Sequence, residues 1–268
     1  MATQPVIIIT GASSGIGEAS VRMFAKAGYR ILAAARRMDR LQALAQEINQ
    51  GSEQVLPVQA DVCEIEDIEK LVSTGLDRFG QIDVLLNNAG IGRFGWLETL
   101  SVEDIESQIR TNLMGVIYLS RAVLPHMIAR RTGIIINMAS IASFVATPTY
   151  TLYSASKHAV RGFTEALRRE VSIYGIRVCG IYPGSVVTEF TTHARVARKT
   201  GLTTPRALRL SSEDVASAIL GLAQHPRRTR IMPWPMVLSI WANSLLPGLV
   251  DWVIEQRFVS KERDLGSK

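Results

Sequence analysis

Tyr153 and Lys157 stand four residues apart in Tyr153-Ser154-Ala155-Ser156-Lys157, a spacing that puts both on one helical face about one turn apart. Such a pair suits proton transfer. A free tyrosine ionises near ~10, and a neighbouring ammonium favours the phenolate, so Lys157 is expected to lower the pKa of Tyr153. Ser140 lies thirteen residues before Tyr153. Its hydroxyl can hydrogen-bond a carbonyl oxygen and stabilise negative charge developing there. Asn112, in Arg110-Thr111-Asn112, falls inside a helical pattern where asparagine carries a propensity cost. That cost points to a polar duty, the holding of a water beside Lys157.

A second group of residues could hold a phosphate. Thr10-Gly11-Ala12-Ser13-Ser14-Gly15-Ile16-Gly17 follows an apolar run and opens a helical pattern, with the glycines spaced G-x-x-x-G-x-G. Glycines let the backbone turn tightly and approach a pyrophosphate, while the free N–H groups and positive end of the new helix face the anion. About twenty residues farther on, where an acidic partner for the adenosine ribose is usual, the chain reads Ala33-Ala34-Ala35-Arg36-Arg37. Guanidinium groups pair bidentately with a ribose 2′-phosphate. The expected cofactor is therefore NADP(H) rather than NAD(H), with Arg36 the first candidate and Arg37 the second. Asp61 could accept from the adenine amino group with the backbone of Val62 alongside. Asn87-Asn88-Ala89-Gly90 supplies small residues and amides where the chain must pass close to a ribose.

These residues need a scaffold that brings strand ends together. Short β-rich runs, Val6–Thr10, Ile31–Ala35, Val55–Gln59, Val84–Asn87, Gly133–Met138, Arg177–Ile181 and Arg230–Met232, alternate with helical patterns such as Ile16–Ala27, Glu64–Phe79, Val102–Arg130 and Ser154–Tyr174. Several strands are apolar throughout, as expected where helices cover both faces. The reading is an α/β fold, a doubly wound parallel sheet in one domain spanning residues 1–268, with ligands bound beyond the carboxyl ends of the strands.

Bulk properties agree with a globular chain. The 268 residues are 47% hydrophobic and 20% charged, with no internal repeat or low-complexity run. The net charge of +6 is spread along the chain, which does not predict a nucleic-acid footprint. Cys63 and Cys179 lack metal-ligand spacing, so neither a metal site nor a disulfide framework is expected, and a reducing compartment is. The first residues show no basic n-region before the short apolar run, giving a cytoplasmic expectation.

Taken in order, Thr10-Gly11-x-x-x-Gly15-x-Gly17, Asn87-Asn88-Ala89-Gly90, Asn112, Ser140, Tyr153-x-x-x-Lys157 and Pro183-Gly184 give a chain that resembles the short-chain dehydrogenases/reductases over about residues 5–190. The resemblance implies a Rossmann-type fold, hydride transfer between a nicotinamide and a carbonyl or alcohol, and a homodimer or homotetramer. It also implies roles: Tyr153 protonates the nascent alkoxide, Lys157 lowers its pKa and binds the nicotinamide ribose, Ser140 orients the carbonyl, and Asn112 anchors a water chain. Pro183, Gly184, Ser185, Val186 and Thr188 resemble the family's loop on the nicotinamide side of the cofactor. Other readings are a catalytically silent dinucleotide-binding regulator and a membrane-surface scaffold. The complete Ser140, Tyr153 and Lys157 set counts against both.

Two segments fall outside that pattern. Residues 189–210 are expected to form the substrate loop, with His193, Arg195, Arg198, Lys199, Arg206 and Arg209 in it. Residues 234–268 form an extension carrying Trp234, Met236, Leu238, Trp241, Leu245, Leu246, Leu249, Trp252 and Ile254. Pro233, Pro235 and Pro247 argue against a spanning helix. Two readings stay open: packing against the substrate loop or another subunit, or shallow attachment to a membrane surface.

Overall fold

Apolar runs without alternation are buried on both faces, and Val6, Ile7, Ile8 and Ile9 of the first strand show this, each at most 1% exposed. The computed structural model describes residues 4–190 and 204–264. His193, Arg195, Arg198 and Lys199 therefore lie outside the described residues.

Seven parallel strands run β1 (Val6–Thr10), β2 (Arg30–Ala35), β3 (Val55–Gln59), β4 (Val84–Asn87), β5 (Gly133–Met138), β6 (Ile176–Pro183) and β7 (Thr229–Met232). Their order across the sheet is β3-β2-β1-β4-β5-β6-β7. The chain winds outward from β1 and then crosses back to β4, so the carboxyl ends of β1 and β4 flank the topological switch point.

Side chains alternate across the sheet and build two cores. Ile7, Ile9 and Ala33 pack with Val21 and Phe24 of α1 (Gly15–Lys26), Leu41 of α2 (Met38–Ile48) and Ile219 of α7 (Ser212–Gln224). On the other face Val6, Ile8 and Leu32 pack with Leu71 of α3 (Ile65–Phe79), Leu119 of α5 (Gly115–Arg130) and Leu167 of α6 (Thr151–Glu170). Each fully buried aliphatic side chain contributes about 1.5–3 kcal/mol. The sheet is thus clamped by helices from both sides.

The expected helix Val102–Arg130 is broken in a way periodicity does not reveal. It consists of α4 (Val102–Ile109), a π turn at Arg110–Met114, and α5. Such bulges recur at functional sites, and this one holds Asn112. The expected helix start at Ser211 is present as a capping box: the Ser211 hydroxyl accepts from the Asp214 N–H, and the Asp214 carboxylate accepts from the Ser211 N–H.

After β7 come α8 (Met236–Leu245), α9 (Pro247–Ile254), a π turn (Glu255–Val259) and α10 (Ser260–Asp264). Among the described residues no single helix is long and apolar enough to cross a membrane; α8 and the helical run after Pro247 meet at a bend of 112°. The end of the extension folds back onto the loop after β4, where Arg263 pairs with Glu98 at 2.8 Å and stacks on Trp96 at 4.1 Å.

Candidate active site

The glycine turn joins β1 to α1. Gly11 (φ 63°) and Gly15 (φ 55°) occupy the left-handed region that disfavours a side chain. A Cβ on Gly17 would collide with the Gly11 carbonyl, and one on Gly11 would stand 2.9 Å from the Ala89 Cα. A Cβ on Gly15 would meet the Thr188 side chain at 3.3 Å. Ser14, the N-cap of α1, makes no side-chain capping bond, so it leaves the first-turn amides of Gly15, Ile16 and Gly17 to other partners. A closely approached turn with donors at a helix N-terminus fits a pyrophosphate.

The loop after β4 is stitched beneath this turn. Asn88 Nδ2 donates to the Thr10 carbonyl at 2.9 Å, and the N–H groups of Asn88 and Ala89 both donate to Thr10 Oγ1 at 3.0 Å. The side chain of Asn88 thereby fixes the turn, while Ala89 and Gly90 present backbone. Gly90 must stay small, since a Cβ there would stand 3.3 Å from Asn112 Oδ1 and 3.8 Å from Lys157 Nζ.

The two arginines after β2 differ. Arg37 donates to Ser13 Oγ at 3.1 Å and Ser14 Oγ at 2.7 Å, strapping the end of β2 to the glycine turn. Arg36 has a side chain 72% exposed and stands 3.6 Å from Asp61. Asp61 also accepts from the Cys63 N–H at 2.9 Å, which shapes its own turn next to Val62. Glu189 pairs with Arg37 at 3.3 Å and with Arg40 at 2.9 Å, tying the segment that follows Thr188 to this arginine cluster.

Beyond β5 and β6 lie the proton-transfer candidates. Ser140 has extended backbone (φ −164°); its Oγ accepts from the Ala142 N–H at 3.2 Å and donates to the Pro183 carbonyl at 3.4 Å. Pro183 thus comes to the same place, and Gly184, Val186 and Thr188 follow it along the site. Tyr153 and Lys157 share the inward face of α6, with Nζ 5.7 Å from the tyrosine ring centroid. Lys157 is 4% exposed and donates to the Met138 carbonyl at 2.9 Å. Asn112 is fully buried, and its amide is clamped onto Ile91, accepting from N–H at 2.8 Å and donating to the carbonyl at 2.9 Å. It also donates to Ser156 Oγ at 3.3 Å.

Burial governs the ionisation of this pair. It raises Tyr153 to about 12, opposed by the Ser140 hydroxyl hydrogen bond and reinforced by Tyr150. It lowers Lys157 to about 8. The expected lowering of Tyr153 by Lys157 does not show among the protein groups alone: desolvation dominates the phenol, and the Lys157 ammonium is directed at the Met138 carbonyl.

Several site residues were missed by sequence reasoning. Phe94, Tyr150 and Phe190 surround the Tyr153 ring at centroid distances of 5.3, 6.2 and 5.8 Å, forming an aromatic wall. Isolated aromatics in loops give no periodic signal. Arg40 was missed although it lies one helical turn beyond Arg37. Asn87 donates to Asn137 Oδ1 at 2.8 Å and Ser120 Oγ at 3.0 Å, and Asn137 donates to Thr164 Oγ1 at 2.9 Å. This buried network pins α5 and α6, which carry the site, to β4 and β5.

Comparison with known proteins agrees with this arrangement. An uncharacterized oxidoreductase of Staphylococcus saprophyticus is 41% identical over 190 residues, 70% of this chain and 76% of the relative. The solved alcohol dehydrogenase of Thermococcus sibiricus, complexed with 5-hydroxy-NADP, is 32% identical with a TM-score of 0.75, covering 85% of this chain and 95% of that one. A short chain dehydrogenase/reductase of Burkholderia phymatum, complexed with NAD, is 26% identical with a TM-score of 0.83, covering 92% and 95%. The family described as short chain dehydrogenase matches residues 5–199. With that match, the doubly wound sheet and the glycine turn at its switch point, the chain belongs to the short-chain dehydrogenase/reductase family of oxidoreductases.

Proposed function

We propose that this protein is an NADP(H)-dependent oxidoreductase acting on a carbonyl or secondary alcohol, with Tyr153 as the proton-transfer group. The observation that carries the reading is the gathering of Ser140, Tyr153 and Lys157 beside the glycine turn, within one sheet edge. The turn of Gly11–Gly17, Asn88–Gly90 and the Pro183–Thr188 segment would hold the dinucleotide, which when bound supplies or accepts the hydride.

The protein's own groups handle the proton. At about 12, the Tyr153 hydroxyl stays protonated at neutral pH and is an acid ready to protonate an alkoxide during reduction. Ser140 holds the substrate oxygen and stabilises its developing charge. Lys157 binds the nicotinamide ribose and, when charged, favours the phenolate left behind. Asn112, whose side chain is engaged by Ile91 and Ser156 in the π turn, would anchor a water chain toward Lys157. Phe94, Tyr150 and Phe190 give the phenol an aromatic surround.

Preference for NADP(H) rests on Arg36 and Arg37 at the end of β2, with no acid in their place. Arg37 is held at the glycine turn, and Arg36 projects from the adjacent rim. A serine dehydrogenase complexed with NADP+ is 33% identical while the Burkholderia phymatum relative is complexed with NAD, so the choice rests on the two arginines. The test is oxidation of NADPH and NADH against ketones, aldehydes, 3-oxoacyl thioesters, steroids and sugars. Turnover with NADPH on at least one carbonyl is expected, and no turnover with any of them overturns the reading.

A further inference from the structure

The extension after β7 inverts the usual distribution of residues. Trp234, Leu238, Trp241, Leu245, Leu246, Leu249 and Trp252 are each between 55% and 74% exposed on the folded chain. A patch of this kind marks a contact surface. From Pro233 through Val250 no residue is charged. Arg228 and Arg230 precede that stretch and Arg257 and Lys261 follow it, all exposed, with the exposed acids Asp251 and Glu255 between Val250 and Arg257. Three of the chain's four tryptophans, Trp234, Trp241 and Trp252, lie in the exposed patch.

Geometry narrows the occupant. α8 has 10 residues and meets the helical run Pro247–Arg263, which begins with α9, at a bend of 112°; among the described residues no single helix is long and apolar enough to cross a bilayer, so the two lie as a surface bracket. Few polar groups remain to pair with a protein partner, where an interface carries about ten hydrogen bonds. Ser239 donates to the Met236 carbonyl at 2.7 Å and Asn243 to the Phe144 carbonyl at 3.1 Å, both within the chain. An apolar face with tryptophans and cationic flanks matches a lipid interface, where aromatic rings sit at the headgroup level and Lys and Arg meet anionic headgroups.

We infer that α8 and α9 dock this oxidoreductase onto the surface of a membrane containing anionic phospholipid. The bracket sits beside the site: Asn243 holds the loop that begins at Ser140, and a Cβ on Gly184 would stand 3.4 Å from Pro233 and 3.6 Å from Met236. Docking would thus place the loop after Ser140 and the Gly184 turn next to the lipid. The inference is independent of the reaction assigned above, because it depends only on this surface.

The test uses the full chain with vesicles of phosphatidylcholine alone or with a third phosphatidylglycerol. Co-sedimentation should be stronger with the anionic vesicles and weaken at high salt, and tryptophan emission should shift to the blue and be quenched by brominated acyl chains. Trp241→Glu combined with Leu245→Glu changes two side chains outside the core, 63% and 73% exposed. The double variant should lose at least tenfold in vesicle binding while keeping the wild-type sedimentation coefficient and turnover in solution. Wild-type protein that stays in the supernatant with both vesicles overturns the inference, as does a double variant that pellets like the wild type. A double variant that dissociates an assembly seen in the wild type assigns the patch to a second copy and also overturns it.

Discussion

The edge of the sheet and the extension break the same rule in opposite directions. Around the site, polar groups are buried: Asn112 is 0% exposed and Lys157 4%. In the extension, apolar groups are exposed: Trp234 is 74% and Leu245 73%. Each departure costs stability in the isolated chain, through desolvation in the first case and unburied apolar surface in the second. Departures of this kind cluster where function overrides folding. The contrast also separates two kinds of work, since the buried groups are held by named hydrogen-bond partners whereas the exposed ones present apolar surface.

Removing a half-buried polar group of the site should reach the chemistry. Ser140→Ala deletes the hydroxyl that faces Tyr153 and Pro183. Its kcat should fall about 10²-fold, as for loss of an oxyanion donor, with KM changed only a few-fold. A rise in KM alone, measured in initial-rate kinetics, would mean that Ser140 only binds. At the exposed rim the expected change is smaller and concerns choice of cofactor. Arg36→Asp should shift the NADPH-to-NADH affinity ratio by about tenfold or more toward NADH, the worth of one charge-assisted contact after discounting for exposure. Equal ratios in fluorescence titrations of wild type and variant would remove Arg36 from that role.

The pH dependence sharpens the comparison further, because only a buried group is shifted so far. With Lys157 at about 8, the ammonium is present below that pH and lost above it. NADPH affinity should therefore weaken several-fold as pH rises from 7 to 9, and Lys157→Met should bind weakly throughout with a flat profile. Stability responds with the opposite sign. An unfolded lysine keeps its proton up to about 10.4, so between about 8 and that value the unfolded chain binds more protons and unfolding becomes harder as pH rises. Tyr153 reverses this between its ordinary 10.0 and about 12, where the folded chain holds the extra proton. Urea midpoints of wild type and Lys157→Met across this range measure the lysine contribution.

Much of the fold was legible because its signals are local. All seven strands lie where apolar β-rich runs predicted them, with ends differing by at most two residues, as at Ile176–Pro183 against Arg177–Ile181. The glycine turn was legible because its left-handed positions at Gly11 and Gly15 demand glycine. The π turn at Asn112 was not, since a single inserted residue leaves the apolar spacing on either side intact. The aromatic wall of Phe94, Tyr150 and Phe190 was also hidden, because it assembles from three loops or helix ends far apart in the chain. Glu189 pairing with Arg37 and Arg40 joins positions about 150 apart, a contact that no local pattern encodes. The extension gave its apolar character in sequence, but its bend and exposure needed the structure.

The central claim, that Tyr153 moves the proton, is tested most directly by Tyr153→Phe. That change keeps the ring among Phe94, Tyr150 and Phe190 and deletes only the hydroxyl. Single-turnover oxidation of NADPH with the best carbonyl substrate should slow by about 10²–10⁴-fold, while NADPH binding measured by fluorescence stays within a few-fold of the wild type. Turnover at the wild-type rate in a variant that binds NADPH normally would contradict the account.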